Sequence, residues 1–138
     1  MSPKAAGYSG TPLAKKLGIK AGSRLWARHA PASYKRLLMP LPEGVAISSR
    51  TGNDLDLVHL FTKSRKELAA ALPGLLKNIK RDGAIWISWP KQASKVATDI
   101  TEDVVRELAL PLGLVDVKVC AVDETWSGLK LVIRLRNR

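Results

Sequence analysis

The run Ala84–Trp89 (AIWISW) constrains the fold of this chain more than any other feature, because it is apolar on both of its faces. A strand of this kind has to be covered on both sides, and near-continuous apolar strands are typical of parallel sheets in α/β proteins. The sequence therefore predicts a buried central strand with a layer of helices on each face of its sheet.

Segments of alternating type surround this central strand. Strands are predicted at 24–29, 45–49, 56–62, 114–122 and 129–135, and helices at 11–18, 31–38, 64–79 and 101–112. Alternating strands and helices with crossovers of this length specify a mostly parallel sheet. Only the six residues 123–128 join the last two strands, so this pair must be antiparallel. The expected fold class is α/β, with three layers, a mostly parallel sheet and a C-terminal antiparallel hairpin.

Local signals set the expected boundaries of these elements. Thr11 is expected to cap the first helix, and Ser64 and Glu67 have the spacing of a capping box at the start of the long helix. Pro73 is expected to kink or restart that helix, because proline lacks the amide hydrogen that an unbroken helix uses. Asp82–Gly83 is expected to form the turn that leads into the central strand.

The composition is that of one globular domain. The chain has 138 residues, of which 46% are hydrophobic and 25% are charged. We expect residues 1–23 to form a basic arm with a short helix, and residues 24–138 to form the Rossmann-like domain, as one structural unit. A single cysteine, Cys120, lies in a strand-like segment and is expected to be inert, which suits a reducing compartment. Without an apolar stretch of spanning length, we expect a cytoplasmic protein and no membrane contact.

The charge of the chain is unusual in its size and distribution. The formal net charge is +11, with eight basic and no acidic residues at 1–42, and eight basic and two acidic residues at 63–95. This asymmetry favours an anionic partner, either an anionic small molecule or a nucleic acid. The alternative is a solvated basic surface that aids solubility. Neither an RNA-binding aromatic motif nor a zinc-ligand spacing is present to identify a known nucleic-acid module.

The order of elements resembles that of the methyltransferase-type Rossmann-like fold, shortened by about one strand–helix unit. Three short segments of the sequence resemble a narrower group of proteins. Its opening (GYSGTPLAKKLG, 7–18), its middle (WPK, 89–91) and its ending (DETWSGLK, 123–130) are similar to a bacterial family known only as a domain of unknown function. This second resemblance covers nearly the whole chain and implies no activity.

The first resemblance implies S-adenosylmethionine as cofactor, and two segments argue against it. An adenosyl cofactor calls for glycines after the first strand, so that the backbone approaches the ligand closely, but residues 28–32 (RHAPA) contain none. An acidic residue is expected to end the second strand and hold the ribose, but residues 48–50 (SSR) end in a cation. We therefore expect no cofactor and no use of S-adenosylmethionine.

The carboxyl ends of the predicted parallel strands indicate where a ligand binds, because in such sheets these ends lie on one edge. Cations, two acids, an imidazole and two indoles are expected on this rim, where indoles stack on rings and cations hold phosphate. The candidate ligand-binding residues are Arg28, His29, Lys63, Trp89, Lys91, Asp123, Glu124 and Trp126. The competing interpretation is structural, with Trp89 in the core and Asp123 paired with Lys91.

Catalytic patterns are scarce. The chain has only two histidines, His29 and His59, and neither has a neighbour at metal-ligand spacing. His59 lies in an apolar strand and is expected to be a buried, hydrogen-bonded core residue. No catalytic residue and no metal site are predicted. Three functions remain: a non-catalytic module that binds an anionic ligand or partner at the strand ends, a nucleic-acid-binding protein, and a divergent S-adenosylmethionine-dependent methyltransferase.

Overall fold

The computed structural model describes residues 11–138 of the chain. The strands are β1 (Arg24–Arg28), β2 (Ala46–Ser48), β3 (Leu55–Phe61), β4 (Ile79–Pro90), β5 (Leu114–Ala121) and β6 (Trp126–Ile133). The α-helices are α1 (Leu13–Leu17), α2 (Tyr34–Leu38), α3 (Arg65–Asn78) and α4 (Glu102–Ala109). Short 3₁₀ turns at Gln92–Ser94, Leu110–Leu112 and Leu135–Asn137 complete the described elements.

The six strands form one sheet in the order β2-β1-β3-β4-β6-β5. β1 pairs in parallel with β2 and β3, and β3 pairs in parallel with β4. β6 is antiparallel to both of its neighbours, β4 and β5. The predicted fold class is confirmed: a mostly parallel sheet ends in an antiparallel hairpin.

The central run is buried as predicted, with every residue from Ala84 to Trp89 shielded from solvent. The helices divide between the two faces of the sheet. α3 and α4 cover one face and form a core with Leu60, Ile85 and Leu129. α1 and α2 cover the other face of the sheet. Three layers follow from this arrangement, because each face of the sheet is apolar and needs its own cover.

Two local predictions are wrong, and a third is wrong in part. α1 begins at Leu13, so Pro12 and not Thr11 occupies the cap position. Asp82–Gly83 forms no separate turn, because both residues belong to β4, which begins at Ile79 and pairs irregularly with β3 between Leu55 and Leu57. α3 continues through Pro73 and does not restart there, and Pro73 lies at an exposed position.

Crowded backbone, from β3 and from β4 itself, explains the glycine at position 83. A Cβ atom there would lie 3.0 Å from the carbonyl oxygens of Leu55 and Lys80 and 3.1 Å from that of Asp56. A side chain at this position would force these backbone atoms to move, so Gly83 marks close backbone contacts both with β3 and within β4.

His59 is fully buried at the centre of the sheet, as predicted. Its Nδ1 shares a 2.8 Å hydrogen bond with the Tyr34 hydroxyl, and its Nε2 shares one of 2.7 Å with Ser88 Oγ. Burial lowers the pKa of His59 to about 3, so the ring is neutral at physiological pH. Both ring nitrogens are satisfied, which gives His59 a structural role.

None of the helices in the described part of the chain combines the length and the apolar composition that crossing a bilayer requires.

Candidate functional site

The carboxyl ends of β1 to β5 lie on one edge of the sheet. β5 is antiparallel to β6, which is antiparallel to β4, so β5 runs in the same direction as the four parallel strands. The chain leaves β1 on one side to form β2 and later returns on the other side to form β3. Ligands of open α/β sheets bind in the crevice at such a reversal of strand order. The sheet therefore places the favoured ligand site next to the carboxyl end of β1.

A depression of about 660 Å³ lies at the carboxyl ends of β1 and β2. Its volume falls in the range of small-molecule sites. The depression is lined by Trp26, Ala27, Arg28, His29, Ala30, Pro31, Ala32, Tyr34, Lys35, Ile47, Ser48 and Ser49. We call this the β1–β2 depression.

Small and hydroxylated side chains shape much of this depression. Three alanines follow or end β1, and Ser48 and Ser49 are exposed at the end of β2. The Arg28 guanidinium lies over the indole of Trp26, 5.8 Å from the ring centroid. The Nε1 atom of Trp26 is buried and has no hydrogen-bond partner among the described residues. The wall of the depression therefore offers hydroxyl groups and cations.

The turn after β1 has a backbone conformation that usually calls for glycine. His29 has φ = +58°, in the left-handed region, where a side chain costs roughly 1–2 kcal/mol. Backbone strain of this kind is concentrated at ligand sites and active sites. Residues 28–32 contain no glycine, but the turn still has the left-handed conformation, because His29 adopts it.

His29 meets a carboxylate across the reversal point of the sheet. Its Nδ1 lies 3.8 Å from Oε1 of Glu67, in the first turn of α3, and both side chains are about half exposed. The same Oε1 accepts a 2.5 Å hydrogen bond from Thr62 Oγ1. Thr62 is buried at the end of β3, where its amide donates to the Ser88 carbonyl oxygen. The residues that directly follow β1 and β3 therefore contact the first turn of α3 through the Glu67 carboxylate.

This cluster has an identifiable chemical capacity. An imidazole that faces a ligand can accept a proton, and a neighbouring carboxylate can orient its ring. The 3.8 Å separation exceeds hydrogen-bond distance. No group of three or more histidine, cysteine, aspartate or glutamate side chains within residues 11–138 is arranged to hold a metal ion.

The other predicted rim residues do not share the β1–β2 depression. Trp89 is buried in the α3–α4 core and lines a separate depression of about 520 Å³ near α4. Lys63 has an exposed side chain, while its carbonyl oxygen accepts a hydrogen bond from Thr98 Oγ1. The ion pair between Asp123 and Lys91 that the competing interpretation proposed does not form, and Asp123 Oδ1 instead accepts the amides of Thr125 and Trp126.

Lys91 and Trp126 do lie at the same end of the sheet. The amide of Lys91 donates to the carbonyl oxygen of Thr125, and Pro90 pairs with Trp126. Trp126 is half-buried and packs edge-on against Phe61, with ring centroids 5.1 Å apart. Glu124 is exposed beside it. The sheet edge thus carries the predicted residues, but only Arg28 and His29 line the β1–β2 depression.

Sequence reasoning placed Thr62 on the strand-end rim but missed Glu67, Ser48 and Ser49 as site residues. Glu67 had a complete local explanation as the acidic member of a capping box. The Ser64 hydroxyl does accept the Glu67 amide, at 3.2 Å, but the Glu67 carboxylate turns to Thr62 and His29. A signal was available in the strand ends, because Ser48 and Thr62 terminate neighbours of β1.

No protein-family profile matches the chain, and no curated protein is significantly similar to it in sequence. Several solved structures share its fold. A methyltransferase dependent on S-adenosylmethionine from Aquifex aeolicus matches with a TM-score of 0.60 and 14% identity, covering 87% of each chain. Precorrin-6y C5,15-methyltransferase from Geobacter metallireducens matches with a TM-score of 0.59 and 12% identity, covering 88% of this chain and 86% of its own. Magnesium protoporphyrin IX methyltransferase from Synechocystis, solved with bound S-adenosylmethionine, matches with a TM-score of 0.57 and 11% identity, covering 88% and 74%.

These neighbours correct the expectation that S-adenosylmethionine plays no part. Many of the structures with this fold belong to methyltransferases that depend on S-adenosylmethionine, and one of them contains it. The sequence argument was wrong because it equated a missing glycine with a missing turn, whereas His29 adopts the left-handed conformation. The narrower resemblance to a bacterial domain of unknown function remains a prediction. The chain has the Rossmann-like fold of the methyltransferase type.

Proposed function

We propose that this chain is a divergent S-adenosylmethionine-dependent methyltransferase domain, which we place at residues 24–138, and that it binds S-adenosylmethionine in the β1–β2 depression. The observation that carries the proposal is the position of this depression. It lies beside the strand-order reversal of a methyltransferase-type sheet, next to a left-handed turn, where an adenosyl ligand requires close approach of the backbone.

The residues of the depression fit the groups of this ligand. Ser49 supplies a hydroxyl for the ribose, in place of the acidic residue typical of the fold, while the Ser48 hydroxyl is bonded to the backbone of Arg50. Arg28 and Lys35 supply cations for the carboxylate of the methionine part.

When bound, S-adenosylmethionine supplies an electrophilic methyl group on a sulfonium sulfur. The residues of this chain would then have to position an acceptor and receive its proton. His29 is the candidate proton acceptor, because it lines the depression and faces Glu67 across the reversal point. Thr62 would hold the Glu67 carboxylate in place through its hydrogen bond.

Thermal unfolding with and without S-adenosylmethionine tests the proposal. A ligand at about one hundred times its dissociation constant stabilises a one-site protein by about 2.7 kcal/mol, which raises Tm by several degrees in a domain of this size. We expect Ser49→Trp, which fills the depression, to abolish this rise. The matched control Thr51→Trp lies at an exposed position outside the depression and should keep it. No rise in the unmodified protein, or equal rises in both variants, would contradict the proposal.

A further inference from the structure

Two lysines face each other on neighbouring strands of the C-terminal hairpin. Lys118 of β5 pairs directly with Lys130 of β6. In an antiparallel pair, directly opposite side chains lie on the same face of the sheet, about 4.5–5.5 Å apart at their Cβ atoms. Like charges in this arrangement destabilise the sheet. A bound anion would offset this repulsion, so the pair indicates a binding role for the two lysines.

Further lysines surround this pair. Burial, together with the charges of Lys118 and Lys20, lowers the pKa of Lys130. Lys118 Nζ donates to the carbonyl oxygen of Lys16 in α1, at 3.2 Å. Gly18, which ends α1 with φ = +83°, leaves room for Lys130, whose Nζ lies 3.5 Å from where a Cβ atom would be. α1 and the hairpin thus present their cations on the same side of the sheet.

Cys120 marks the same surface. Its nearest positive charges are those of Lys16, Lys118 and Lys91, which favour the thiolate, but burial is the stronger effect and raises the pKa of the Cys120 thiol. A depression of about 540 Å³ lies alongside and is lined by Thr11, Lys16, Lys118, Val119, Cys120, Ala121 and Ser127. We call the surface formed by Lys16, Lys20, Lys91, Lys118 and Lys130 the lysine face.

Carboxylates do not neutralise this surface in the described structure. None of the ion pairs within residues 11–138 includes Lys20, Lys91, Lys118 or Lys130. The segment 1–10, which precedes α1, contains no acidic residue in its sequence. The positive charges of Lys20, Lys91, Lys118 and Lys130 are therefore available to an external anion.

We propose that the lysine face binds the phosphate backbone of a nucleic acid. Lysines hold phosphates as point charges, and those of this surface are spread over α1, β5, β6 and the end of β4, on an open face and not around one enclosed phosphate. A polymer with phosphates at regular intervals occupies such a spread surface, and the net charge of +11 adds long-range attraction. This inference is independent of S-adenosylmethionine binding, since it uses different residues.

Fluorescence anisotropy with labelled RNA and DNA oligonucleotides, at salt concentrations between 50 and 200 mM, tests the inference. The variant is Lys118→Gln with Lys130→Gln. The control is Lys66→Gln with Lys77→Gln, which removes the same charge from exposed positions of α3 on the opposite face of the sheet. If each of the two lysines contacts one phosphate, the slope of log K against log salt falls by about 1.4 for single strands and about 1.8 for duplex DNA. We expect the control to keep the original slope.

Three outcomes would overturn the inference. One is the absence of binding at 50 mM salt, and another is an equal change of slope in the variant and the control. The third is displacement of the oligonucleotide by micromolar concentrations of a mononucleotide or of inorganic phosphate, which would assign the lysine face to a small phosphorylated ligand. Comparison of the RNA and DNA curves distinguishes the two polymers. Unfolding of the variant does not confound the test, because loss of the Lys118–Lys130 repulsion should leave its Tm unchanged or raised.

Discussion

The imidazole of His59 and the hydroxyl of Ser88 share a 2.7 Å hydrogen bond in the centre of the sheet. This contact joins β3 to β4 through side chains, in addition to the backbone pairing of the two strands. Because both groups are fully buried, any charge that His59 acquires must be accommodated without water.

The first prediction concerns stability against pH. The pKa of His59 is about 3 in the folded protein, whereas an unfolded histidine titrates near 6.5, so between these values only the unfolded chain takes up the proton. Stability is therefore complete above about pH 6.5 and falls as pH decreases below it. The slope approaches about 1.4 kcal/mol per pH unit. Urea unfolding at several pH values between 7.5 and 5 measures it. In His59→Gln this slope should largely disappear, and an unchanged slope would show that other groups cause it.

The second prediction concerns Trp126, whose indole packs on Phe61 and is partly buried. A fully buried tryptophan loses about 3–5 kcal/mol on truncation to alanine, so we expect Trp126→Ala to lose roughly 1–3 kcal/mol. Trp126→Phe keeps an aromatic ring against Phe61 and should lose less. Chemical denaturation of the three proteins gives the differences in unfolding free energy. An alanine variant as stable as the original would indicate that the indole serves binding alone.

The third prediction contrasts two glycines. Gly83→Ala brings a Cβ atom to 3.0 Å from two backbone oxygens and should cost about 1–3 kcal/mol of unfolding free energy. Gly74→Ala, in α3, meets nothing within 4 Å and should stabilise the protein by about 0.5–1 kcal/mol. Thermal unfolding of both variants measures the two changes in stability, which should have opposite signs. Stabilisation by alanine at position 83 would mean that the two strands are further apart there.

The fourth prediction concerns the left-handed conformation of His29. Glycine adopts this conformation without strain, and the ion pair with Glu67 is too exposed to contribute much. We therefore expect His29→Gly to be more stable than His29→Ala by about 1 kcal/mol. Equal stabilities of the two variants, in the same denaturation experiment, would contradict a left-handed turn after β1.

The sequence was sufficient to predict the sheet and its direction. The apolar run at 84–89 identified the central strand, and the short connection at 123–128 required an antiparallel hairpin. The boundaries near Gly83 were wrong, because a glycine that permits close strand contact looks the same in sequence as a glycine in a turn. Packing between distant segments decides which of these two roles a glycine has, and the local sequence pattern carries no information about that packing.

The site was only partly predictable for the same reason. The rule that strand ends meet placed Arg28 and His29 at the correct edge. It could not show that the Glu67 carboxylate lies beside His29 while the Glu67 amide stays in the cap of α3, because that contact depends on how α3 is placed relative to β1. Nor could it show that Trp89 faces the α3–α4 core, since both faces of β4 are apolar.

The most direct test of the proposed function is an NMR titration of ¹⁵N-labelled protein with S-adenosylhomocysteine, the demethylated form of the cofactor. We predict that the largest changes in amide chemical shift occur at residues 27–30 and 47–49, which line the β1–β2 depression. Residues of the lysine face, such as Lys118 and Lys130, should change little. An unchanged spectrum at millimolar ligand, or changes confined to residues outside the β1–β2 depression, would contradict the assignment of this depression to S-adenosylmethionine.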